Sequence, residues 1–268
     1  MLWNARNHRI PLDGTALEAV SFGRGEKQLV ILPGLSDGLA TVGGKALLLA
    51  PPYRRFFDRY TVWMFSRRND LPAGFSIGDM AEDQARVMQT LGIGSAAVMG
   101  VSEGGMIAEL LTARHPALVE KLILAVTAPC VNDTLRDCIP RWIGFAKEGR
   151  HRELMIDTAE RSYSPAYLEK FRKLYPFLGM VGKPKDYGRF LSNAEATLSF
   201  DAREELGRIV CPTLILGGED DHIVGADASR ELSERIAGSE LFLYPGLGHA
   251  VYEEAKDFYA RVFAFLDA

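Results

Sequence analysis

The sequence predicts an α/β protein built on a doubly wound, mostly parallel β-sheet. Short apolar runs alternate with amphipathic helical stretches along the 268-residue chain, a pattern typical of parallel strands that helices cover on both faces. Near the N-terminus, two extended stretches flank the turn dipeptide Asp13-Gly14, which predicts an antiparallel hairpin at one edge of the sheet. A long segment without strands predicts a helical insertion into this fold.

The expected elements follow the chain in order. The hairpin strands are expected at 8–11 and 16–22. The parallel strands are expected at 28–32, 61–65, 95–99, 121–126, 213–216 and 240–244. The helices that cover them are expected at 77–91, 103–115, 226–236 and 253–266. In the first of these helices, Met80, Val87 and Met88 fall mostly on one face, as packing against a sheet requires.

No strand-like run occurs from residue 127 to residue 210. Helical stretches are expected there around 135–147, 152–161, 165–174 and 186–197, with prolines and glycines between them. A segment this long between two strands is too long for a simple loop. The sequence therefore predicts a core formed by residues 1–126 and 211–268, with residues 127–210 inserted as a helical lid.

Composition and charge exclude several classes of protein. Hydrophobic residues make up 47% of the chain and charged residues 25%, which is typical of a globular protein. The net charge of −4 does not favour binding to nucleic acid or to an anionic membrane. Cys130, Cys138 and Cys211 form no Cys-x-x-Cys pair, which favours free thiols over disulfides or a zinc site. With no signal-peptide pattern and no apolar run long enough to span a bilayer, we expect a cytoplasmic protein.

A candidate nucleophile lies where a predicted strand meets a predicted helix. Residues 100–105 read Gly-Val-Ser-Glu-Gly-Gly, which places Ser102 in a Gly-x-Ser-x-Gly motif. A serine on such a sharp turn is exposed for attack, and its glycine neighbours let the helix pack close to the strand. Any pentapeptide of this kind also arises by chance, so the strand-to-helix context carries the prediction.

Candidates for an acid and a base follow later strands. Residues 217–222, after the strand at 213–216, read Gly-Gly-Glu-Asp-Asp-His, and three acids there, Glu219, Asp220 and Asp221, are candidates. His249 lies in a glycine-rich loop after the strand at 240–244. The order serine, acid, histidine is the one that an α/β fold with this motif uses. Because the carboxyl ends of parallel strands meet at one edge of a sheet, these side chains are expected to come together.

These stretches resemble the α/β-hydrolase family over essentially the whole chain. The matching stretches are Leu-Pro-Gly-Leu at 32–35, Gly-Val-Ser-Glu-Gly-Gly-Met-Ile-Ala at 100–108, Pro-Thr-Leu-Ile-Leu-Gly-Gly-Glu-Asp-Asp at 212–221 and Tyr-Pro-Gly-Leu-Gly-His at 244–249. Within the family, the chain is most similar to lid-bearing carboxylesterases and enol-lactonase-like hydrolases. The resemblance implies that Ser102 is the nucleophile and His249 the base, and it favours Asp221 as the acid, ahead of Asp220 and Glu219.

The resemblance also implies an oxyanion hole made of two backbone N–H groups. Position in the motifs assigns them to Glu103, directly after the nucleophile, and to Leu35. The family usually has His-Gly before the second donor, whereas this chain has Pro33-Gly34. The side chain that orients this loop in the family is therefore missing here, while backbone donors do not depend on it.

Two further features allow more than one interpretation. The Glu103 carboxylate suits the first turn of a helix, but it could instead place a negative charge at the floor of the pocket and disfavour anionic substrates. Arg67 and Arg68 follow the strand at 61–65, and we expect them to tie loops together rather than to hold substrate.

The inserted segment should lie over the candidate site, because it follows the strand at 121–126 and emerges at the same edge of the sheet. We expect most of its large apolar and aromatic side chains to pack on the body and a few to line an apolar pocket. The candidates are Trp142, Phe145, Met155, Tyr163, Tyr167, Phe171, Tyr175 and Phe177.

The function expected from the sequence is hydrolysis of a small carboxylic ester or lactone through an acyl-enzyme. Carbon–carbon bond hydrolysis, amide cleavage and cofactor-free perhydrolysis use the same three residues and stay open. A hydrolase-fold protein that binds a small ligand with little turnover is the competing class. No phosphate loop, dinucleotide fingerprint or His-Glu-x-x-His motif is present, so we expect no cofactor and no metal.

Overall fold

One β-sheet organises the fold. A computed structural model of the chain describes residues 2–180 and 182–268, and within these residues eight strands form a single sheet. The strands are β1 (Arg6–Leu12), β2 (Thr15–Gly23), β3 (Lys27–Leu32), β4 (Tyr60–Arg68), β5 (Ala96–Val101), β6 (Val119–Ala125), β7 (Thr213–Gly218) and β8 (Glu240–Tyr244). Their order across the sheet is β1-β2-β4-β3-β5-β6-β7-β8. Pairs β1–β2 and β2–β4 are antiparallel and the remaining pairs are parallel, which confirms the predicted fold class.

Helices cover both faces of this sheet. They are α1 (Ala46–Leu49), α2 (Ile77–Thr90), α3 (Glu103–Arg114), α4 (Asp133–Lys147), α5 (His151–Ser162), α6 (Pro165–Phe171), α7 (Tyr175–Leu178), α8 (Gly188–Leu198), α9 (Ala226–Arg235), α10 (Val251–Glu254) and α11 (Phe258–Asp267). The buried side chains form two clusters, one on each face. Along β3, Leu29 and Ile31 belong to one cluster and Val30 and Leu32 to the other, so the strand buries both of its faces. Helices α2, α3 and α9 pack on one face, and α11 packs on the other.

Several elements differ from the expected ones for identifiable physical reasons. Strand β4 continues three residues beyond 61–65, because Ser66 and Arg67 are polar but buried and hydrogen-bonded. The single helix expected at 253–266 is two helices, α10 and α11, separated where Ala255 adopts an extended backbone. The stretch expected at 165–174 is also interrupted, since a short 3-10 turn, Arg172–Leu174, follows α6.

The segment between β6 and β7 contains α4 to α8 and begins and ends at one place on the body. The Val131 N–H donates to the Phe200 carbonyl over 3.0 Å, and the Ala202 N–H donates to the Pro129 carbonyl over 2.8 Å. These two bonds hold the ends of the segment side by side next to the sheet. That residues 127–210 act as a separate lid domain stays a prediction.

Two findings concern classes of site and segment. Cys130, Cys138 and Cys211 are free thiols, and burial raises the pKa of Cys138 to about 12. Within residues 2–180 and 182–268, no helix has the length and apolar character that crossing a membrane requires. In the same residues, no three His, Cys, Asp or Glu side chains lie close enough together to hold a metal ion.

Candidate active site

Ser102 occupies a strained turn between β5 and α3. Its φ of 55° and ψ of −124° lie in a region that few non-glycine residues adopt, and such strain is typical of a nucleophile held on a sharp turn. The turn is possible because its neighbours lack side chains. A Cβ on Gly100 would lie 2.4 Å from the Gly104 carbonyl oxygen, and one on Gly104 would lie 2.0 Å from the Leu32 carbonyl oxygen.

Ser102, His249 and Asp221 form a continuous hydrogen-bonded series. The Ser102 hydroxyl lies 2.9 Å from His249 Nε2, and His249 Nδ1 lies 2.8 Å from Asp221 Oδ2. The loops that carry the acid and the histidine meet closely, since a Cβ on Gly218 would lie 2.3 Å from the Gly248 carbonyl oxygen. The His249 and Asp221 side chains are buried, so water competes little for these hydrogen bonds.

The Asp221 carboxylate is held in one orientation by the protein. Its Oδ1 accepts hydrogen bonds from the backbone N–H groups of Ile223 at 2.8 Å and Val224 at 2.9 Å. Burial opposes the negative charge, but His249 and these N–H groups outweigh burial, and the pKa of Asp221 is lowered from its ordinary value. The other two candidate acids, Glu219 and Asp220, have exposed side chains, so Asp221 is the one of the three that contacts His249.

The two residues expected to supply oxyanion donors lie on either side of Ser102. Glu103 is the first residue of α3, and Leu35 begins a short 3-10 turn, Leu35–Gly38. The loop that carries Leu35 approaches the nucleophile closely, since a Cβ on Gly34 would lie 3.2 Å from the Ser102 Cβ. In place of the side chain that Pro33 lacks, the Asp37 carboxylate holds this loop by accepting from the Ser66 hydroxyl and from the Arg67 N–H.

A cavity of about 110 Å³ opens beside Ser102 and His249. Three of its lining residues, Trp142, Thr158 and Ser162, come from α4 and α5 in the segment between β6 and β7. No lysine, arginine, aspartate or glutamate lines it within the described residues, and the other lining residues are Gly34, Leu35, Ser36, Val101, Ile223 and Tyr252.

Sequence analysis found only part of this lining. Of the eight apolar and aromatic side chains proposed from the insert, Trp142 lines the cavity, and the other seven are not among its lining residues. Thr158, Ser162 and Tyr252 were missed, because polar residues within helices carry no sequence pattern that distinguishes a pocket from a solvent-exposed face.

The charges next to the site are paired inside the protein. Glu103 forms a 2.6 Å ion pair with Arg67, and both side chains are buried. Burial raises the pKa of Glu103, and the Arg67 guanidinium opposes that shift. The Glu103 carboxylate therefore lies behind the cavity and not at its floor. Arg68 makes two hydrogen bonds to Asp83, at 2.5 and 2.6 Å, so both arginines tie structural elements together.

Comparison with known proteins adds a family. The family model described as "alpha/beta hydrolase fold" matches residues 29–256. The "AB hydrolase superfamily protein YisY" of Bacillus subtilis is 34% identical over 194 residues, which are 69% of this chain and 70% of that protein. A protein of Caulobacter sp. named "Putative carbamate hydrolase RutD" is 27% identical over 269 residues, which cover 95% of this chain and 96% of that protein.

Solved structures agree on the fold. An α/β hydrolase, MGS-M2, from a deep-sea metagenome library of the Medee basin superposes with a TM-score of 0.87 at 20% identity, covering 97% of this chain and 98% of that one. The enol-lactonase of Burkholderia xenovorans superposes with a TM-score of 0.83 at 24% identity, covering 97% of this chain and all of that one. Sheet order, family model and relatives therefore lead to one conclusion: the chain belongs to the α/β hydrolase family.

Proposed function

We propose that the protein is a serine hydrolase that cleaves a small carboxylic ester or lactone through an acyl-enzyme. Ser102 would be the nucleophile, His249 the base and Asp221 the acid that orients it. The observation that carries this proposal is the hydrogen-bonded series from Ser102 through His249 to Asp221, which ends beside a cavity. An idle serine in a glycine-rich turn would need neither the strained backbone nor the histidine.

The geometry supports a two-step mechanism. The Ser102 oxygen attacks the substrate carbonyl carbon while its proton passes to His249 Nε2, 2.9 Å away. Negative charge then develops on the carbonyl oxygen, where the N–H groups of Leu35 and Glu103 would stabilise it. His249 returns the proton to the departing alcohol oxygen, and water, activated by the same ring, releases the acid. Asp221 keeps the Nδ1 proton in place and stabilises the imidazolium that forms in both steps.

The cavity favours a small, uncharged substrate. Its volume of about 110 Å³ leaves little room for a long acyl chain, and it has no cationic side chain to pair with a substrate carboxylate. We also propose that residues 127–210 form a lid that completes this pocket. The support for a lid is that Trp142, Thr158 and Ser162 line the cavity together with Ser102. The three free thiols support a reducing, cytoplasmic setting.

Covalent labelling tests the proposed nucleophile directly. The wild-type protein is expected to react with a fluorophosphonate probe, and Ser102→Ala should not. A set of p-nitrophenyl esters with acyl chains of increasing length, together with small lactones, then measures the substrate class. We expect the highest kcat/KM for the shortest chains. Absence of labelling and turnover in the folded wild type would contradict enzymatic function and favour the ligand-binding alternative.

Carbamate hydrolysis is a second candidate, and the relatives favour it. Several relatives, among them the Caulobacter protein that aligns with 95% of this chain, bear the name carbamate hydrolase. A carbamate carbonyl is attacked by the same serine, so the site geometry accepts either reaction. Comparison of kcat/KM for a small carbamate and its matched ester decides between them. Carbon–carbon hydrolysis and perhydrolysis remain alternatives that the same assay format can measure.

A further inference from the structure

A buried group of four charged side chains lies behind the two proposed oxyanion donors, and the mechanism above does not use it. The group, here called the charge network, consists of Asp37, Arg67, Glu103 and Arg189. We propose that the charge network positions both oxyanion donors and that Arg189, which comes from the inserted segment, is part of that positioning. This inference rests on the proposed function, because it concerns the same reaction.

Asp37 fixes the loop that carries Leu35. Its side chain is 1% exposed, and its Oδ1 accepts a hydrogen bond of 2.6 Å from the Ser66 hydroxyl. Its Oδ2 accepts from the Arg67 backbone N–H at 3.0 Å, and its own N–H donates to the Gly34 carbonyl at 3.1 Å. The 3-10 turn that begins at Leu35 is therefore fastened to the end of β4.

Arg67 links this loop to the second donor. Its backbone N–H binds Asp37, and its guanidinium donates to Glu103 Oε2 at 2.6 Å. Glu103 is the residue whose own N–H is the second proposed donor, so its side chain anchors the first turn of α3 from behind. One residue at the end of β4 thus holds both donor segments.

Arg189 brings the inserted segment into the same network. It lies in α8, and it donates to the Asp37 carboxylate at 2.9 Å and to the Asp37 carbonyl at 2.6 Å. It also donates to the carbonyls of Arg67 and Arg68, each at 3.2 Å. Helix α8 packs tightly here, because a Cβ on Gly38 would lie 2.7 Å from the Phe190 Cα. A shift of α8 would break these bonds and release the Leu35 loop.

The four side chains are positioning residues and not catalytic ones. None of them lines the cavity beside Ser102, so none is placed to touch the substrate. Two positive and two negative charges balance one another, so the network adds no net charge to the site. Because the oxyanion exists only in the transition state, a displaced donor should lower kcat and leave KM nearly unchanged.

The test compares conservative and disruptive variants at Arg189. This side chain is partly exposed, so Arg189→Met should fold, and circular dichroism and Tm establish that it does. We expect Arg189→Met to lower kcat on p-nitrophenyl acetate by about ten- to hundredfold with KM within about threefold, which is less than loss of a whole donor. Arg189→Lys should recover part of that loss. Glu103→Gln and Asp37→Asn should lower kcat in the same way.

Asp83→Asn is the matched control. It breaks the buried Arg68–Asp83 pair at the same end of β4, but Asp83 has no bond to either donor segment. It should therefore reduce Tm and leave kcat at the wild-type level. A purely structural role for the charge network predicts the same result for all of these variants.

A transition-state analogue provides the second readout. Ser102 adds to the carbonyl of a trifluoromethyl ketone, its proton passes to His249, and the former carbonyl oxygen carries the negative charge. Affinity for this ketone should fall in parallel with kcat across the variants. Folded Arg189→Met with wild-type kcat and ketone affinity overturns this inference alone. A wild type that takes no fluorophosphonate label and binds no ketone overturns the proposed function, and this inference with it.

Discussion

Replacement of Asp221 by asparagine should reverse the tautomer of His249 while preserving the shape of the site. In the wild type, Oδ1 accepts from the N–H groups of Ile223 and Val224, and Oδ2 accepts from His249 Nδ1. An asparagine at this position keeps its carbonyl oxygen towards the two backbone donors, because the opposite orientation points an amide NH₂ at them. Unsatisfied buried groups cost about 1–3 kcal/mol each, so two of them fix the orientation by about 2–6 kcal/mol.

The magnitude follows from that orientation. With its oxygen held by the backbone, the asparagine NH₂ faces His249 Nδ1 and donates to it, which places the ring proton on Nε2. Nε2 then has no lone pair to accept the Ser102 proton, although the two atoms remain close. A loss of about ten-thousandfold in kcat is the size expected for the wrong tautomer. At about 1.4 kcal/mol per factor of ten, this corresponds to about 5.4 kcal/mol of transition-state stabilisation.

The assay is steady-state hydrolysis of p-nitrophenyl acetate at neutral pH, with Asp220→Asn as the control. Asp220 is the exposed neighbour of Asp221, so its replacement has the same chemistry and should cost little activity. The lowered pKa of Asp221 means that its carboxylate stabilises the fold above its unfolded pKa of about 3.9 and that this contribution is lost as the pH falls towards the folded pKa. Asp221→Asn must therefore be shown to be folded at the assay pH. A folded Asp221→Asn within tenfold of the wild type, or a crippling effect of Asp220→Asn, would refute the assignment.

Three further predictions concern the nucleophile, a buried acid and the cavity. Ser102→Ala should remove about a millionfold of turnover and all fluorophosphonate labelling, with unchanged circular dichroism. Glu109 is buried in α3, and burial raises its pKa well above the ordinary range, so the wild type should lose stability as the pH rises from about 4.3 towards the folded pKa, by up to about 1.4 kcal/mol per pH unit. Glu109→Gln removes this loss, and its gain in Tm over the wild type should therefore grow with pH across that window. Trp142→Phe should enlarge the cavity and move the ester preference towards longer acyl chains.

Each of these predictions has an outcome that contradicts it. Undiminished ester turnover by folded Ser102→Ala would show that another group carries the chemistry. A Tm difference between Glu109→Gln and the wild type that is constant from pH 4 to pH 8 would mean that Glu109 does not titrate as expected. For the cavity, Phe177→Ala is the matched control, because Phe177 lies in the same segment but is exposed. An equal shift in chain-length preference for both variants would argue against a lining role for Trp142.

The sequence predicted those features that depend on local backbone requirements. Ser102 could be located because a serine on so sharp a turn needs glycines beside it, and these are visible as a motif. The strands of the sheet could be located because each one, like β3, buries both faces and is apolar throughout. His249 and Asp221 follow from the rule that parallel strands end at one edge, and the structure brings their side chains within 2.8 Å of each other.

The charge network could not be predicted in this way, because its members are related only through the folded structure. Asp37 and Arg189 are separated by 152 positions, and each has the sequence environment of an ordinary surface residue. Their burial is stable only because the opposite charge arrives from a distant segment, since an unpaired charge in this position would cost several kcal/mol. The loop at Pro33-Gly34 shows the consequence: the motif residue that holds this loop in the family is absent, and a carboxylate four residues later, paired across the molecule, holds it instead. A sequence motif therefore fixes which backbone groups can stabilise the oxyanion, whereas the side chains that hold those groups in place can change without leaving a motif.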